Sequence, residues 1–309
     1  FMLNLAENMT VTCLDSYSEI RGLVSETFEV LYPLLKKNCY RGENLERVGQ
    51  TKNGVYLLLG NSQWRFKECR NQQAAQDEYE FTDYLGKLLK KTPHEVPIPI
   101  TTFNYDKSVL LLEGVDGDTL EQKIQANDPH VPQYYEQSLD LLTVLWNKVD
   151  RPASGLDYKK KTRDNLENSG VDGETIEKII QNGGPIWNHL SELPTNISFD
   201  YHPENLIVAP DGTLVKIDNE LNPAVPFSFN LANLLIYTTS MPQKTQLQYV
   251  RLAKMKLGDK SSDDEFLFGY LGAVFQRALS LSSAWSTGKR EQLHSRRGRV
   301  VACAIEALD

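Results

Sequence analysis

Residues 198–220 read SFDYHPENLIVAPDGTLVKIDNE. Asp200 stands five residues before Asn205. The apolar run Leu206–Val208 follows, then Pro210-Asp211-Gly212, then a second apolar run, Leu214 to Ile217, ending on Asp218. Asp-Gly between two apolar runs predicts a tight hairpin. That hairpin carries three oxygen-bearing side chains to one end of a small sheet. Asn205 and Asp218 are hard donors suited to magnesium, and Asp200 is free to take a proton from a hydroxyl. Each of these residues also serves elsewhere as a plain turn or cap. The weight rests on the joint spacing: D-x-x-x-x-N, apolar strand, turn, apolar strand, I-D-x-E. Such a donor set suits phosphoryl transfer, where positioning and charge neutralisation carry the chemistry.

Upstream, Leu45–Val48 and Val55–Leu59 read as strands, with Gly49–Gly54 between them as a turn whose amides can meet phosphate oxygens. Asn-Gly is equally the commonest hairpin turn. A third strand, Gln63–Cys69, sends Trp64 and Phe66 to one face and Arg65, Lys67 and Cys69 to the other. The helix predicted over Gln72–Lys90 aligns Ala74, Ala75, Glu78, Phe81, Leu85 and Leu88 on one face. Glu78 is then an acid on a buried face and calls for a cationic partner, with Lys67 near in sequence. Glu80, on the polar side, is the reserve for that role. Pro93–Pro99 ends the helix, and a strand Ser108–Leu112 leads into Glu113-Gly114-Val115-Asp116-Gly117, with Asp118 or Thr119 as N-cap of the next helix.

In this order the segments resemble the aminoglycoside phosphotransferase and choline kinase family, small-molecule kinases with the protein-kinase-like fold. The family pattern is H-G-D-L-H-P-x-N-[ILV]-[LIV], followed by I-D-[WFY]-[ED]. The resemblance spans roughly residues 45–235. It implies that Asp200 is the catalytic aspartate, that His202-Pro203 is the following HP pair, that Asn205 and Asp218 hold magnesium, and that Glu220 is a further acid. It implies that Lys67 grips the nucleotide phosphates. It likens VGQTKNGVY to the family's nucleotide loop, with Thr51 and Asn53 as nucleotide contacts, and the segment at Glu113 and Val115 to its adenine hinge. Two departures stand out: Ser198 replaces the family histidine, and Asn230 the aspartate of D-L-A. They keep a second reading open, a non-catalytic, kinase-shaped binding protein.

A protein kinase is disfavoured by two distances. About fifty residues separate the helix end near Lys148 from Asp200, and only about a dozen separate Asp218 from the next helix. The insertion carries two predicted helices, Gly173–Gln181 and Pro185–Leu193. No room remains for a peptide-gating segment. The chain has 309 residues and a net charge of −8, which disfavours nucleic acid and anionic membranes and is compatible with a cationic small substrate. No apolar run approaches the ~18 residues of a membrane span. Cys13, Cys39, Cys69 and Cys303 show no metal-binding spacing, and a reducing cytoplasm is expected. An amphipathic helix opened by a Ser16–Glu19 capping box is expected over Ser16–Lys37.

The fold expected is α+β, a two-lobed protein-kinase-like fold. A nucleotide-binding lobe of sheet plus helix spans 1–113, and a mostly helical lobe spans 114–309. The activity expected is ATP- and Mg2+-dependent transfer to a hydroxyl of a small molecule.

Overall fold

Strand alternation and one amphipathic helix organise the first part of the chain. In the computed structural model the described residues are 47–51, 54–59, 62–104, 108–149, 157–168, 172–236 and 242–286. The expected helix at 16–37 lies outside them. Strands β1 (Arg47–Thr51), β2 (Gly54–Leu59), β3 (Ser62–Cys69), β5 (Pro99–Asn104) and β6 (Ser108–Glu113) form an antiparallel sheet in the order β1-β2-β3-β6-β5. The turn between β1 and β2 is tighter than the sequence suggests. Thr51 pairs with Gly54, so the two strands consume most of the expected six-residue loop. Residues 52–53, which join the two strands, lie outside the described residues.

Helix α1 (Gln72–Leu89) begins at Asn71, whose side chain accepts from Ala74 N at 2.8 Å. Its buried stripe is Ala75, Glu78, Phe81, Thr82, Leu85 and Leu89, and it packs on β5 and β6. Burying Phe81, Leu85 and Leu89 contributes roughly 1.5–3 kcal/mol each. A short β4 (His94–Glu95) pairs in parallel with β10 (Leu214–Lys216). The turn before β10 places Gly212 at φ +85, with Gly212 N donating to Ala209 O. Only glycine adopts that conformation without strain.

Downstream, β7 (Asp118–Thr119) pairs with β9 (Leu206–Val208), and Thr119 opens α2 (Leu120–Gln125) through a capping box with Gln122. Helices α3 (Val131–Lys148), α4 (Tyr158–Asn168), α5 (Gly173–Asn182) and α6 (Gly184–Glu192) follow. Then come β8 (Thr195–Ile197), a 3-10 turn (Pro203–Asn205), and β11 (Ala224–Pro226), which pairs with β8. Helix α7 (Phe227–Ile236) is buried at every residue and forms the centre of this core. Helices α8 (Gln243–Leu257) and α9 (Asp263–Ser286) complete it, α9 packing on α7, α4 and α6. No helix of the described residues is long and apolar enough to cross a membrane.

Contacts divide the described residues into two compact units. One runs to Gly117 and includes Ala209–Glu220; the other comprises Asp118–Val208 and the residues from Leu221 onward. The first break falls at 117/118, where the sequence reading places it at 113/114. The segment carrying β10 and Asp218 joins the first unit.

Candidate active site

The predicted residues fall into two clusters, one in each unit. In the first, β3 turns Arg65 and Lys67 to the same face, and both are buried. Lys67 Nζ donates to Glu78 Oε2 at 2.7 Å and to Glu220 Oε1 at 2.8 Å, and it also bonds Asp218 Oδ1. Glu80 is instead exposed and accepts from Gln76. Burial works to lower the Lys67 pKa, but Glu78 and Asp218 outweigh it and hold the ammonium above its ordinary range. Burial pushes the Glu78 carboxyl up against the pull of Lys67. Burial also acts to raise Asp218, yet Lys67, Arg65 and Lys216 outweigh it and hold that carboxyl below its usual value.

Asp218 sits at φ +62, a conformation rarely adopted by a residue with a Cβ. Lys216, itself buried, holds this kink: its Nζ donates to Ile217 O at 2.5 Å and to Asp218 O at 3.0 Å. Carboxylate oxygens of Glu78, Asp218 and Glu220 lie within 4.8 Å of one another. Such a set of hard donors fits a divalent cation. Lys67 is their counter-ion here, and a metal on Asp218 would compete for the oxygen that Lys67 now bonds.

Among the nucleotide contacts expected, Thr51 closes β1 and Asn53 lies outside the described residues. Glu113 ends β6, and its N–H is already donated to Ile98 O at 2.9 Å, so that N–H is not the group left to read a base. Val115 lies in the turn that follows. A cavity of about 590 Å3 within this unit is walled by the last turns of α1, by Thr92–Pro99 and by Glu113–Asp116. None of Lys67, Glu78, Asp218 and Glu220 lines it.

In the second unit, β8 leads into the loop bearing Asp200. Asn196 Nδ2 anchors the strand to Trp146 O at 3.0 Å and Val149 O at 2.7 Å. Ser198 N donates to Pro223 O, and Phe199 N donates to Asn230 Oδ1 at 3.0 Å. Asn230 is fully buried, and its side-chain carbonyl oxygen braces the loop at the position where the resembled family carries an aspartate. Tyr201, also buried, donates to Ser138 O at 2.7 Å. Asp200 has φ +43, and its side chain is 40 % exposed, open to a reactant. Asn127 is the one other non-glycine residue at positive φ besides Asp200 and Asp218 among the described residues. Strained backbone concentrates where function over-determines it. Asn205 Nδ2 donates to Asp200 O at 3.1 Å and lies 3.4 Å from Asp200 Oδ2. The amide is thereby oriented with Oδ1 left as its donor atom for a cation. His202 Nε2 lies 3.4 Å from Asp200 Oδ2, and its Nδ1 lies 3.6 Å from Glu204.

Sequence reasoning placed Arg65 beside Lys67 on β3 but gave it no role, and it passed over Lys216. Strand alternation was the available signal for both, since each lies two residues from a predicted site residue. Asn230→Leu is expected to lower stability by about 1–3 kcal/mol, because Phe199 N–H is left buried without an acceptor. Asn230→Asp, which keeps an acceptor oxygen, should cost much less. Urea unfolding checks the pair; equal midpoints for the two variants would contradict the brace.

No protein-family model matches the chain, and no curated protein does. Solved structures do. Choline kinase LicA from Streptococcus pneumoniae is 13% identical, with 91% of this chain and 99% of that chain covered, at a TM-score of 0.59. A choline/ethanolamine kinase family protein from Mesorhizobium loti is 13% identical, with 91% and 93% covered, at 0.61. The GDP complex of an aminoglycoside 2'-phosphotransferase-IIIa mutant is 12% identical, with 91% and 97% covered, at 0.61. The chain has the α+β, protein-kinase-like fold of these small-molecule kinases.

Proposed function

We propose that this chain transfers the γ-phosphate of ATP, with magnesium, to a hydroxyl group of a small molecule. The observation that carries this reading is the buried Lys67, bonded to Glu78 eleven residues away and to Asp218 far downstream. A strand lysine held by acids on a helix and in the loop after β10 is a part that phosphoryl transfer requires.

Lys67 binds the phosphates, and Glu78 keeps its ammonium in place. Asn205 Oδ1 and Asp218 would hold magnesium, with Glu220 beside them. When bound, the metal neutralises charge on the transferring phosphoryl group. Asp200 orients the acceptor hydroxyl and takes its proton. The hydroxyl oxygen forms a bond to the γ-phosphorus, the bond from that phosphorus to the β–γ bridging oxygen breaks, and ADP leaves. Backbone groups at Glu113 and Val115 would read the purine edge. The acceptor is a hydroxylated small molecule of the aminoglycoside, choline or sugar type, with a cationic compound the first choice given the net charge of −8.

The rival reading, a non-catalytic binding protein, draws on Ser198 and Asn230. The hydrogen bond from Phe199 N to Asn230 Oδ1 weakens it, since the loop keeps its brace. The test is thermal. Mg-ATP should raise the melting temperature in a concentration-dependent way, and ATP with EDTA should raise it less. No shift with Mg-ATP or Mg-GTP would contradict nucleotide binding.

A further inference from the structure

Lys67 is almost fully buried, yet it carries an ammonium. An ammonium has three N–H donors and no acceptor. Here each donor has its own carboxylate: Glu78 Oε2 at 2.7 Å, Glu220 Oε1 at 2.8 Å and Asp218 Oδ1. Oxygens of these three acids lie within 4.8 Å of one another. Oxygens on opposite sides of a divalent ion stand about 4–5 Å apart, since each is about 2.0–2.6 Å from the metal. The lysine nitrogen fills the space that a bare divalent ion would take among them.

Burial is not what keeps such an ion out. The Asp218 and Glu220 side chains are 23% and 49% exposed, so a solute has a way in. Charge is the obstacle. Arg65, on the same face of β3 as Lys67, is buried, and so is Lys216. Both act on Asp218 as positive charges beside that of Lys67. Lys216 Nζ is fixed close by, bonded to the carbonyls of Ile217 and Asp218. Three basic side chains face three acids, and the cluster is balanced before any metal arrives. A bare divalent ion added to it meets like charges at an effective dielectric well below that of water.

We infer that the Lys67 ammonium is the resident cation of Glu78, Asp218 and Glu220 and keeps bare divalent metal out of the free protein. Removing its charge turns the three acids into a divalent-cation site that needs no nucleotide. This role of Lys67 rests on the geometry of the free protein and not on phosphoryl transfer. A test without nucleotide can therefore fail while the proposed function stands.

The probe is Mn2+, counted by electron paramagnetic resonance at mildly alkaline pH with no nucleotide present. Lys67→Met should bind one Mn2+ per chain, tighter than any binding to the parent by about tenfold or more, because a unit charge a few ångströms from the ion is gone. Mn2+ should raise the melting temperature of Lys67→Met and leave that of the parent unchanged. Lys67→Gln removes the charge but keeps N–H donors for the acids. It should gain Mn2+ in the same way, and it serves where the methionine chain does not fold. Adding Asp218→Asn to either variant should abolish the gain. The resident-cation role of Lys67 is overturned if the parent binds one Mn2+ as tightly as the variants do. It is also overturned if folded Lys67→Gln binds none, or if the gain survives Asp218→Asn.

Discussion

Asp200→Asn should reduce phosphoryl transfer by about 10²–10⁴-fold, the range that a positioned general base contributes. Asparagine is the informative replacement. It tolerates the left-handed backbone at φ +43 better than other residues with a Cβ. It also keeps an oxygen to accept from Asn205 Nδ2, which bonds Asp200 in the native loop. The negative charge and the capacity to take a proton are lost. Mg-ATP binding, read by melting shift, should persist. Near-normal turnover in this variant would remove Asp200 from the mechanism. Loss of nucleotide binding along with turnover would instead make it part of the metal site.

Lys67→Met should both inactivate and destabilise. The side chain is 1% exposed and compensates Glu78, Asp218 and Glu220. Breaking a buried pair from one side typically costs about 3–5 kcal/mol, because the remaining charge is left without its partner. Glu78→Gln in the same chain should return part of that stability without returning activity, which separates the lysine's structural role from its catalytic one. Lys67→Arg should keep the fold and still lose at least an order of magnitude in turnover, about 1.4 kcal/mol or more in the barrier, since a planar fork does not fit a point-charge site. Glu80→Ala should be silent. Chemical denaturation with parallel ADP-release rates checks the series. A Lys67→Met chain as stable as the parent would contradict the buried cluster.

Local patterns were the legible part of this chain. Apolar runs on either side of an Asp-Gly turn read as strands, and both runs form strands, β9 and β10. Period-two alternation placed Lys67 inward, and the 3.6-residue period placed Glu78 on the buried stripe of α1. Side chains recruited from far along the chain were harder to read. Glu220 was a further acid in sequence, whereas in the fold it shares Lys67 with Glu78 and Asp218. Helix α4 was missed because its stripe is thin. Tyr158, Thr162 and Leu166 are its buried positions among residues that are mostly charged or amide-bearing. The turn between β1 and β2 was drawn too long because glycine at either end suggested a loop, while strand pairing carries through Thr51 and Gly54.

Phosphoryl transfer to a small hydroxylated acceptor is tested most directly by ADP release from Mg-ATP across a panel of aminoglycosides, choline, ethanolamine and amino sugars, with casein and histone as protein controls. Turnover with at least one small molecule, reduced by about 10²–10⁴-fold in Asp200→Asn and absent with the proteins, is the expected result. Phosphorylation of casein or histone without any small-molecule turnover would contradict the account, as would the absence of ADP release with every acceptor.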